Sequence, residues 1–145
     1  MNFLLYADGG SRGNPGAAAY GTAIYDAQGN VYVEIAEYLG VATNNVAEYS
    51  GLLAGLQYLA EKHPSAVVEV RMDSKLVVEQ MSGRWKIKHP DMRDLAMQSH
   101  RLTPHLKVTF TWIPREQNSH ADRLANEALD LAQIGQTEKI FRTYT

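Results

Sequence analysis

The sequence predicts an α/β fold in which helices cover a mixed β-sheet. Three β-like runs come first in the chain, and helical and strand-like segments then alternate. The 145 residues, of which 45% are hydrophobic and 21% charged, suffice for one globular domain with its own core. We therefore expect one domain in which the first three strands form an antiparallel meander.

The first half of the chain supplies three strands and a long helix. Residues 2–8 form an apolar run, and the runs at 17–27 and 31–39 are rich in Tyr, Val and Ile and are separated by the turn sequence DAQGN. Apolar residues then recur at helical spacing over residues 43–63, and Pro64 ends this pattern. Three strands followed by a helix are predicted here.

The second half alternates between the two element types. Its predicted strands are 66–73 and 107–114, and its predicted helices are 74–83, 90–102 and 119–133. The C-terminal segment is polar and loses helical periodicity. We therefore assign residues 1–131 to the domain and residues 132–145 to a tail or linker.

Composition excludes several classes of site. The chain has no cysteine, which rules out disulfides, thiolate catalysis and thiolate zinc sites. The first residues lack the basic region of a signal peptide, and no apolar stretch approaches the roughly 18 residues of a membrane helix. A net charge of −2 argues against binding nucleic acid by bulk charge but allows a local basic patch. We expect a cytoplasmic location, a monomer and no membrane partner.

Four acids lie at the predicted ends or starts of elements. Asp8 ends the first strand and Asp73 the fourth, whereas Glu48 and Asp122 lie in the first turns of two helices. Each acid also has a structural explanation. Glu48 and Asp122 fit capping boxes that start at Asn45 and Ser119. Asp73 is a candidate cap for the next helix, and Asp8 is a candidate turn residue.

Together the four acids predict a metal site. If the first and fourth strands are parallel neighbours, Asp8 and Asp73 emerge side by side at one sheet edge, where they repel unless a cation neutralises them. Oxygen ligands select Mg²⁺ or Mn²⁺, and two ions about 3.5–4 Å apart activate water and steady the leaving oxygen in phosphodiester cleavage. The glycines of DGGSRGNPG (8–16) would let a nucleic-acid backbone approach, although a tight turn also explains them.

Four motifs, in this order and spacing, resemble those of the type 1 ribonuclease H family. They are DGGSRGNPG (8–16), TNNVAE (43–48), MDSKLVVEQ (72–80) and the N-x-x-x-D of Asn118–Asp122. The resemblance spans about residues 1–131 and is closest to the short actinobacterial form, which is often fused to a phosphatase-like domain. It implies a ribonuclease H-like fold with a five-stranded mixed sheet, and a fused phosphatase-like domain in the full-length protein.

The same resemblance implies an activity and a cofactor. The activity is metal-dependent endonucleolytic cleavage of the RNA strand in RNA–DNA hybrids, which leaves 3′-hydroxyl and 5′-phosphate ends. Two Mg²⁺ ions, replaceable by Mn²⁺, are implied, and the matching metal ligands and catalytic residues are Asp8, Glu48, Asp73 and Asp122.

Substrate contacts are also carried over by motif. The minor groove, where the 2′-hydroxyl distinguishes RNA from DNA, is matched by Asn14, Asn44 and Asn45, and a DNA-strand phosphate contact is matched by Thr43. Lys75 stands where the family usually has glutamine. The remaining expected substrate contacts are Gly9, Gly10, Lys75 and Asn118.

A long basic helix found in many bacterial members is reduced here to GRWKIKHP (83–90), which implies weaker hybrid affinity. Its cations Arg84, Lys86 and Lys88 either track phosphates or belong to a solvated loop whose Trp85 folds onto the core.

The family's mobile histidine before the last acid has no clear counterpart in PREQNSHAD. Arg115 or Glu116 occupies its approximate position, and His120 lies too close to Asp122 for a direct match. We therefore include Arg115 among the expected substrate contacts and expect product release or proton shuttling to differ.

Three rival functions remain to be weighed. A sugar-kinase or actin-like ATPase needs two such domains, and 145 residues supply one. A hybrid-binding module that no longer cleaves is disfavoured because all four acids are present. Another nuclease of the same fold, such as a resolvase or integrase core, is disfavoured by the NPG and TNNVAE segments. The choice among hybrid, double-stranded RNA and a lone ribonucleotide in DNA stays open.

Overall fold

Six strands and four helices make up the computed structural model, which describes residues 1–144. The strands are β1 (Asn2–Arg12), β2 (Gly16–Tyr25), β3 (Val31–Ala42), β4 (Val67–Met72), β5 (Lys107–Trp112) and β6 (Ile140–Thr143). The helices are α1 (Asn44–Lys62), α2 (Lys75–Met81), α3 (Pro90–Leu102) and α4 (Ser119–Gln133). Short 3₁₀ turns at Thr103–His105 and Arg115–Gln117 precede β5 and α4.

All six strands form one mixed sheet in the order β5-β4-β1-β2-β3-β6. The pairs β1/β2, β2/β3 and β3/β6 are antiparallel, whereas β1/β4 and β4/β5 are parallel. This confirms the predicted mixed α/β fold, the antiparallel meander and the parallel pairing of the first and fourth strands.

The sheet has six strands, one more than the five that were expected. β6 lies within the segment 132–145 and pairs with β3 from Val33↔Thr143 to Ala36↔Ile140. Phe141 packs against Tyr58 with ring centroids 5.6 Å apart. A four-residue strand shows too little periodicity to be recognised, and its contacts are far away in sequence. The domain boundary at residue 131 stays a prediction.

β1 continues beyond Asp8, which was expected to end it. Its pairing with β4 stops at Tyr6↔Arg71, but its pairing with β2 continues to Arg12↔Ala17. The glycines after Asp8 therefore belong to a strand that has lost one neighbour. The sheet has a notch at this point, where β1 runs past the end of β4.

Helices pack on both faces of the sheet. α1 covers one face over the main core, which contains Leu5, Leu52, Leu56 and Val68 among its fully buried residues. α4 lies on the opposite face over a smaller cluster of alanine and leucine side chains, Ala19, Ala23, Ala36, Leu124, Ala128 and Leu129. The starts of α1 and α4 therefore flank the notch from opposite faces. Within residues 1–144, none of the helices is both long and apolar enough to cross a membrane.

A polar network joins the start of α4 to β6 across β3. The buried carboxylate of Glu34 shares a hydrogen bond of 2.5 Å with His120 Nε2 and accepts one of 2.5 Å from the Tyr144 hydroxyl. Arg142 donates to the same carboxylate at 3.4 Å. His120 Nδ1 shares a further bond of 2.5 Å with the Tyr25 hydroxyl. His120 is therefore held within the fold by both ring nitrogens.

Candidate active site

The notch in the sheet contains a cavity of about 410 Å³ that all four predicted acids line. Asp8 comes from β1, and Asp73 directly follows β4. Glu48 enters from α1 and Asp122 from the first turn of α4. Residues far apart in sequence therefore meet at one place, as the parallel pairing of β1 and β4 predicts.

Burial and mutual repulsion raise the pKa values of two of these acids. Burial, followed by the charges of Asp73, Glu48 and Asp122, raises the pKa of Asp8 to about 8, against the Gly9 N–H that donates to it at 2.9 Å. Burial also raises the pKa of Glu48 to about 7, with a smaller contribution from Asp73 and an opposing one from the Ser74 hydroxyl. The cavity therefore favours a bound cation.

The capping explanation of Glu48 is wrong. α1 begins at Asn44, and its N-cap is Thr43, whose Oγ1 accepts a hydrogen bond of 3.2 Å from the Val46 N–H. Glu48 consequently lies in the second turn rather than the first. Glu48 lines the cavity, and helix capping does not explain its position there.

The explanations of Asp73 and Asp122 as capping residues also fail. Ser74 caps α2 by accepting a bond of 3.2 Å from the Val77 N–H, so Asp73 is not the cap. Asp122 does lie in the first turn of α4, but the N-cap is Asn118 and makes no side-chain capping bond. Neither carboxylate is used to start a helix.

Asn118 supports Asp73 from behind instead of contacting a substrate. Its side chain is 1% exposed, and its Nδ2 donates at 2.9 Å to both the Asp73 carboxylate and the Ala7 carbonyl. This corrects its placement among the substrate contacts, because a buried amide cannot reach a bound nucleic acid. It ties the end of β4 to β1 and fixes the direction of Asp73.

The two glycines after Asp8 have different roles. A Cβ at Gly9 would lie 2.3 Å from the Ala47 carbonyl carbon and the Glu48 nitrogen, so the absence of a side chain there lets α1 pack on β1. Helix packing therefore explains why residue 9 has no side chain, whereas the Gly9 backbone also lines the cavity and its contact with substrate stays a prediction. A Cβ at Gly10 would meet no protein atom within 4 Å. Gly10 faces the open cavity on the same side of β1 as Asp8.

Two of the three expected asparagine contacts, Asn14 and Asn44, form a hydrogen-bonded rim. Asn44 Oδ1 accepts from the backbone N–H of Ser11 at 2.7 Å and from its hydroxyl at 2.9 Å. Asn14 Oδ1 accepts from the Asn44 backbone N–H at 3.2 Å. These bonds use carbonyl oxygens, and the amide NH₂ groups take no part in them. Asn44 lines the acidic cavity, whereas Thr43 lines a neighbouring surface pocket and Asn45 lines neither.

Two arginines line the cavity. Arg115, expected from its place before the last acid, is one of them. Arg12 is the other and was missed by sequence reasoning, although it lies inside the first motif. Its guanidinium donates to Asp130 at 2.7 Å and to Asn126 at 3.4 Å. Arg12 is thus paired within the fold, and both guanidinium groups lie in the wall of the acidic cavity.

The GRWKIKHP segment is a loop with exposed cations. Arg84 forms two hydrogen bonds with the Glu79 carboxylate, at 2.6 and 2.9 Å, which occupies it within the fold. Lys86 and Lys88 are exposed. The loop is exposed, as the solvated-loop alternative expects, but Trp85 is 46% exposed and does not fold onto the core.

The oxygen donors of the cavity fit a divalent cation whose coordination shell is completed by substrate oxygens. Among residues 1–144, no three His, Cys, Asp or Glu side chains converge closely enough to form a ligand cluster alone. Mg²⁺ usually takes one or two carboxylates, several waters and substrate phosphate oxygens. Hard oxygen donors in a cavity that raises carboxylate pKa values match that preference.

The fold and cavity together define a ribonuclease H-like domain, and comparison with known proteins leads to the same class. A family model described as reverse transcriptase-like matches residues 6–128. The bifunctional protein Rv2228c of Mycobacterium tuberculosis is 52% identical over 134 residues, which cover 91% of this chain and 36% of that protein. Ribonuclease HI of Halobacterium salinarum is 42% identical over 86% of this chain and 63% of its own length.

Solved structures agree with these relatives. The N-terminal RNase H domain of Rv2228c, fused to maltose binding protein, has a TM-score of 0.88 at 48% identity and covers 93% of this chain and 98% of its own. LC11-RNase H1 in complex with an RNA/DNA hybrid has a TM-score of 0.85 at 41% identity and covers 90% and 99%. The chain belongs to the type 1 ribonuclease H family. It spans about a third of the length of the M. tuberculosis relative.

Proposed function

We propose that this chain is an endoribonuclease that hydrolyses the RNA strand of RNA–DNA hybrids. Membership of the ribonuclease H family and the hybrid bound to LC11-RNase H1 support this proposal. The observation that carries it is the meeting of four carboxylates, from β1, α1, the end of β4 and α4, in one cavity. Helix capping accounts for none of the three acids to which it was a rival explanation.

Asp8, Glu48, Asp73 and Asp122 would hold two divalent cations, Mg²⁺ or Mn²⁺, which supply an activated water and neutralise charge at the phosphate. The protein keeps these ligands in place before substrate arrives. Asn118 fixes the Asp73 carboxylate. The Ser74 hydroxyl lies beside the Glu48 carboxylate. Cleavage in this arrangement is proposed to leave 3′-hydroxyl and 5′-phosphate ends.

Substrate selection is assigned to the rim of the cavity. The amide groups of Asn14 and Asn44 would contact the minor groove, in which the 2′-hydroxyl marks the RNA strand. Arg12 and Arg115 would bind backbone phosphates, and Gly10 leaves room for the strand. The rim therefore combines groove contacts with phosphate contacts on either side of the acids.

A direct cleavage assay tests this function. Duplexes of one sequence would be prepared as an RNA–DNA hybrid, double-stranded RNA, DNA and DNA with a single ribonucleotide, and incubated with Mg²⁺, Mn²⁺ or EDTA. We expect cation-dependent cleavage of the RNA strand of the hybrid, with ends that a ligase requiring 5′-phosphate accepts. Hybrid binding without cleavage under every cation would instead identify a non-cleaving module.

We also propose that the domain works as a monomer in the cytoplasm beside a phosphatase-like domain. The name of the M. tuberculosis relative, a bifunctional protein, supports a second domain, since this chain matches 36% of its length. Sedimentation of the purified chain tests the monomer.

A further inference from the structure

An exposed tryptophan lies directly beside the acidic cavity. Trp112 is the last residue of β5 and is paired with Met72 of β4, the residue before Asp73. The residue is 45% exposed, at the end of the edge strand of the sheet. Its position directly beside Asp73, more than its exposure, makes this ring a candidate contact for a strand bound in the cavity.

Two polar contacts fix how Trp112 is presented. The indole N–H donates to the backbone carbonyl of Asp73 at 3.1 Å. The ammonium of Lys75 lies 5.6 Å from the centroid of the ring, within cation–π range. Lys75 opens α2, where the helix dipole disfavours a cation, so the ring compensates for an unfavourable position. An aromatic face and a positive charge are thus held side by side next to Asp73.

The negative charge of the cavity explains why a positive charge and an aromatic ring beside it would help to bind a strand. Its four acids repel the phosphates of an approaching strand, so attraction has to come from the surroundings. Arg12 and Arg115 lie in the cavity wall, whereas Trp112 and Lys75 lie outside it, beyond Asp73 and Ser74. A strand that crosses the cavity and continues past Asp73 meets this pair next.

We propose that Trp112 and Lys75 form a contact site for the strand that leaves the cavity on its β5 side. The indole ring packs against a base or sugar, and the ammonium binds a backbone phosphate. Stacking on aromatic side chains and phosphate neutralisation are the two general means of holding nucleic-acid strands. This inference rests on the proposed function, because it extends the path of the hybrid.

Fluorescence tests the contact directly. The chain has two tryptophans, so Trp85→Phe leaves Trp112 as the single indole reporter. Hybrid carrying a dye for anisotropy would be titrated in EDTA, which prevents cation-dependent cleavage. We expect the Trp112 emission to change with the same midpoint as the anisotropy.

Substitutions separate the ring from its N–H group. Trp112→Phe keeps an aromatic face without the bond to Asp73, and Trp112→Ala removes both. Stacking on an aromatic residue is worth about 1–3 kcal/mol, or roughly a fivefold or larger loss of affinity in Trp112→Ala. We expect Trp112→Phe to retain hybrid affinity within about twofold.

The charge is tested by Lys75→Ala with a matched lysine. Loss of one phosphate contact should lower the slope of log K against log salt by about 0.9. Lys107 lies at the opposite end of β5 from Trp112, about 17 Å away along the strand. Lys107→Ala should leave both the affinity and the slope unchanged.

The results distinguish this contact from the proposed function. Constant Trp112 emission while the anisotropy reports binding would overturn the contact and leave the ribonuclease proposal standing. Equal losses of affinity in Trp112→Phe and Trp112→Ala would also overturn it, because the N–H bond to Asp73 would then explain the effect. Failure of the unaltered protein to bind or cleave hybrid would overturn the function itself, and this inference with it.

Discussion

Neighbouring glycines in β1 offer a sharp test of how the cavity receives its substrate. Gly10→Ala adds one Cβ on the side of β1 that carries Asp8, where no protein atom lies within 4 Å. Gly10 has a φ that ordinary residues adopt, since it is absent from the positive-φ positions. The substitution should therefore keep or raise stability, by about 0.4–1 kcal/mol, through the unfolded chain.

Catalysis should respond in the opposite direction. The new methyl group occupies space that a strand at the Asp8 carboxylate needs, and a misplacement of about 1 Å costs on the order of a hundredfold in rate. Gly10→Val enlarges the obstacle and should lose more activity. We expect a large fall in kcat/KM in a protein whose thermal midpoint is unchanged or higher.

Gly9→Ala is the matched control, with the same added atom one residue earlier. The Cβ would lie 2.3 Å from backbone atoms of Ala47 and Glu48, which cannot move without shifting α1. Overpacking of this kind costs about 1–3 kcal/mol, which lowers the thermal midpoint by about 3–10 °C. Activity should fall here because the fold is disturbed.

Calorimetry and initial rates on one hybrid distinguish the two outcomes. Normal kcat/KM in a folded Gly10→Ala or Gly10→Val protein would refute the idea that this face receives the strand. An unchanged thermal midpoint for Gly9→Ala would refute the packing role assigned to Gly9. The pair is informative because stability and activity are predicted to separate.

Four further outcomes follow from the site. Asp73→Asn should abolish Mg²⁺-dependent hybrid cleavage and leave the metal-free thermal midpoint level or higher, because repulsion is relieved. Since the pKa of Asp8 is raised from 3.8 to about 8, the metal-free free energy of unfolding should fall as pH rises between these values, and pH-dependent calorimetry should show a weaker fall in Asp8→Asn. Replacing Lys86 and Lys88 with Ala should raise KM and flatten its salt dependence in assays at several ionic strengths. Asn14→Ala should weaken discrimination between RNA and DNA strands in competition binding.

Local patterns in the sequence were enough to predict the sheet and the meeting of the acids. The meeting of Asp8 and Asp73 was predicted on the condition that the first and fourth strands are parallel neighbours, and that pairing is confirmed. The true end of β1 was missed because it depends on which neighbouring strand continues beside it. β4 stops opposite Tyr6, while β2 remains paired to Arg12. Such differences arise from tertiary packing and leave no periodic signal.

The supporting residues of the site were harder to recognise. Asn118 was seen as part of a motif, but its burial behind Asp73 depends on where α4 begins relative to β1. A capping box fits the spacing around Glu48, yet α1 starts at Asn44 and its N-cap is Thr43. Sequence spacing shows which residue types occur together in a motif. The direction in which each side chain points depends on how the helices and strands pack.

The network around Glu34 links the C-terminal strand to the first turn of α4. Burial alone would raise the pKa of Glu34, but hydrogen bonds from Tyr144, His120 and Arg142 hold it below its usual value. Two of these partners belong to the C-terminal segment, and the third lies two residues before Asp122. β6 and the first turn of α4 therefore share one carboxylate as a common hydrogen-bond partner, so the position of the turn that carries Asp122 depends in part on a strand at the far edge of the sheet.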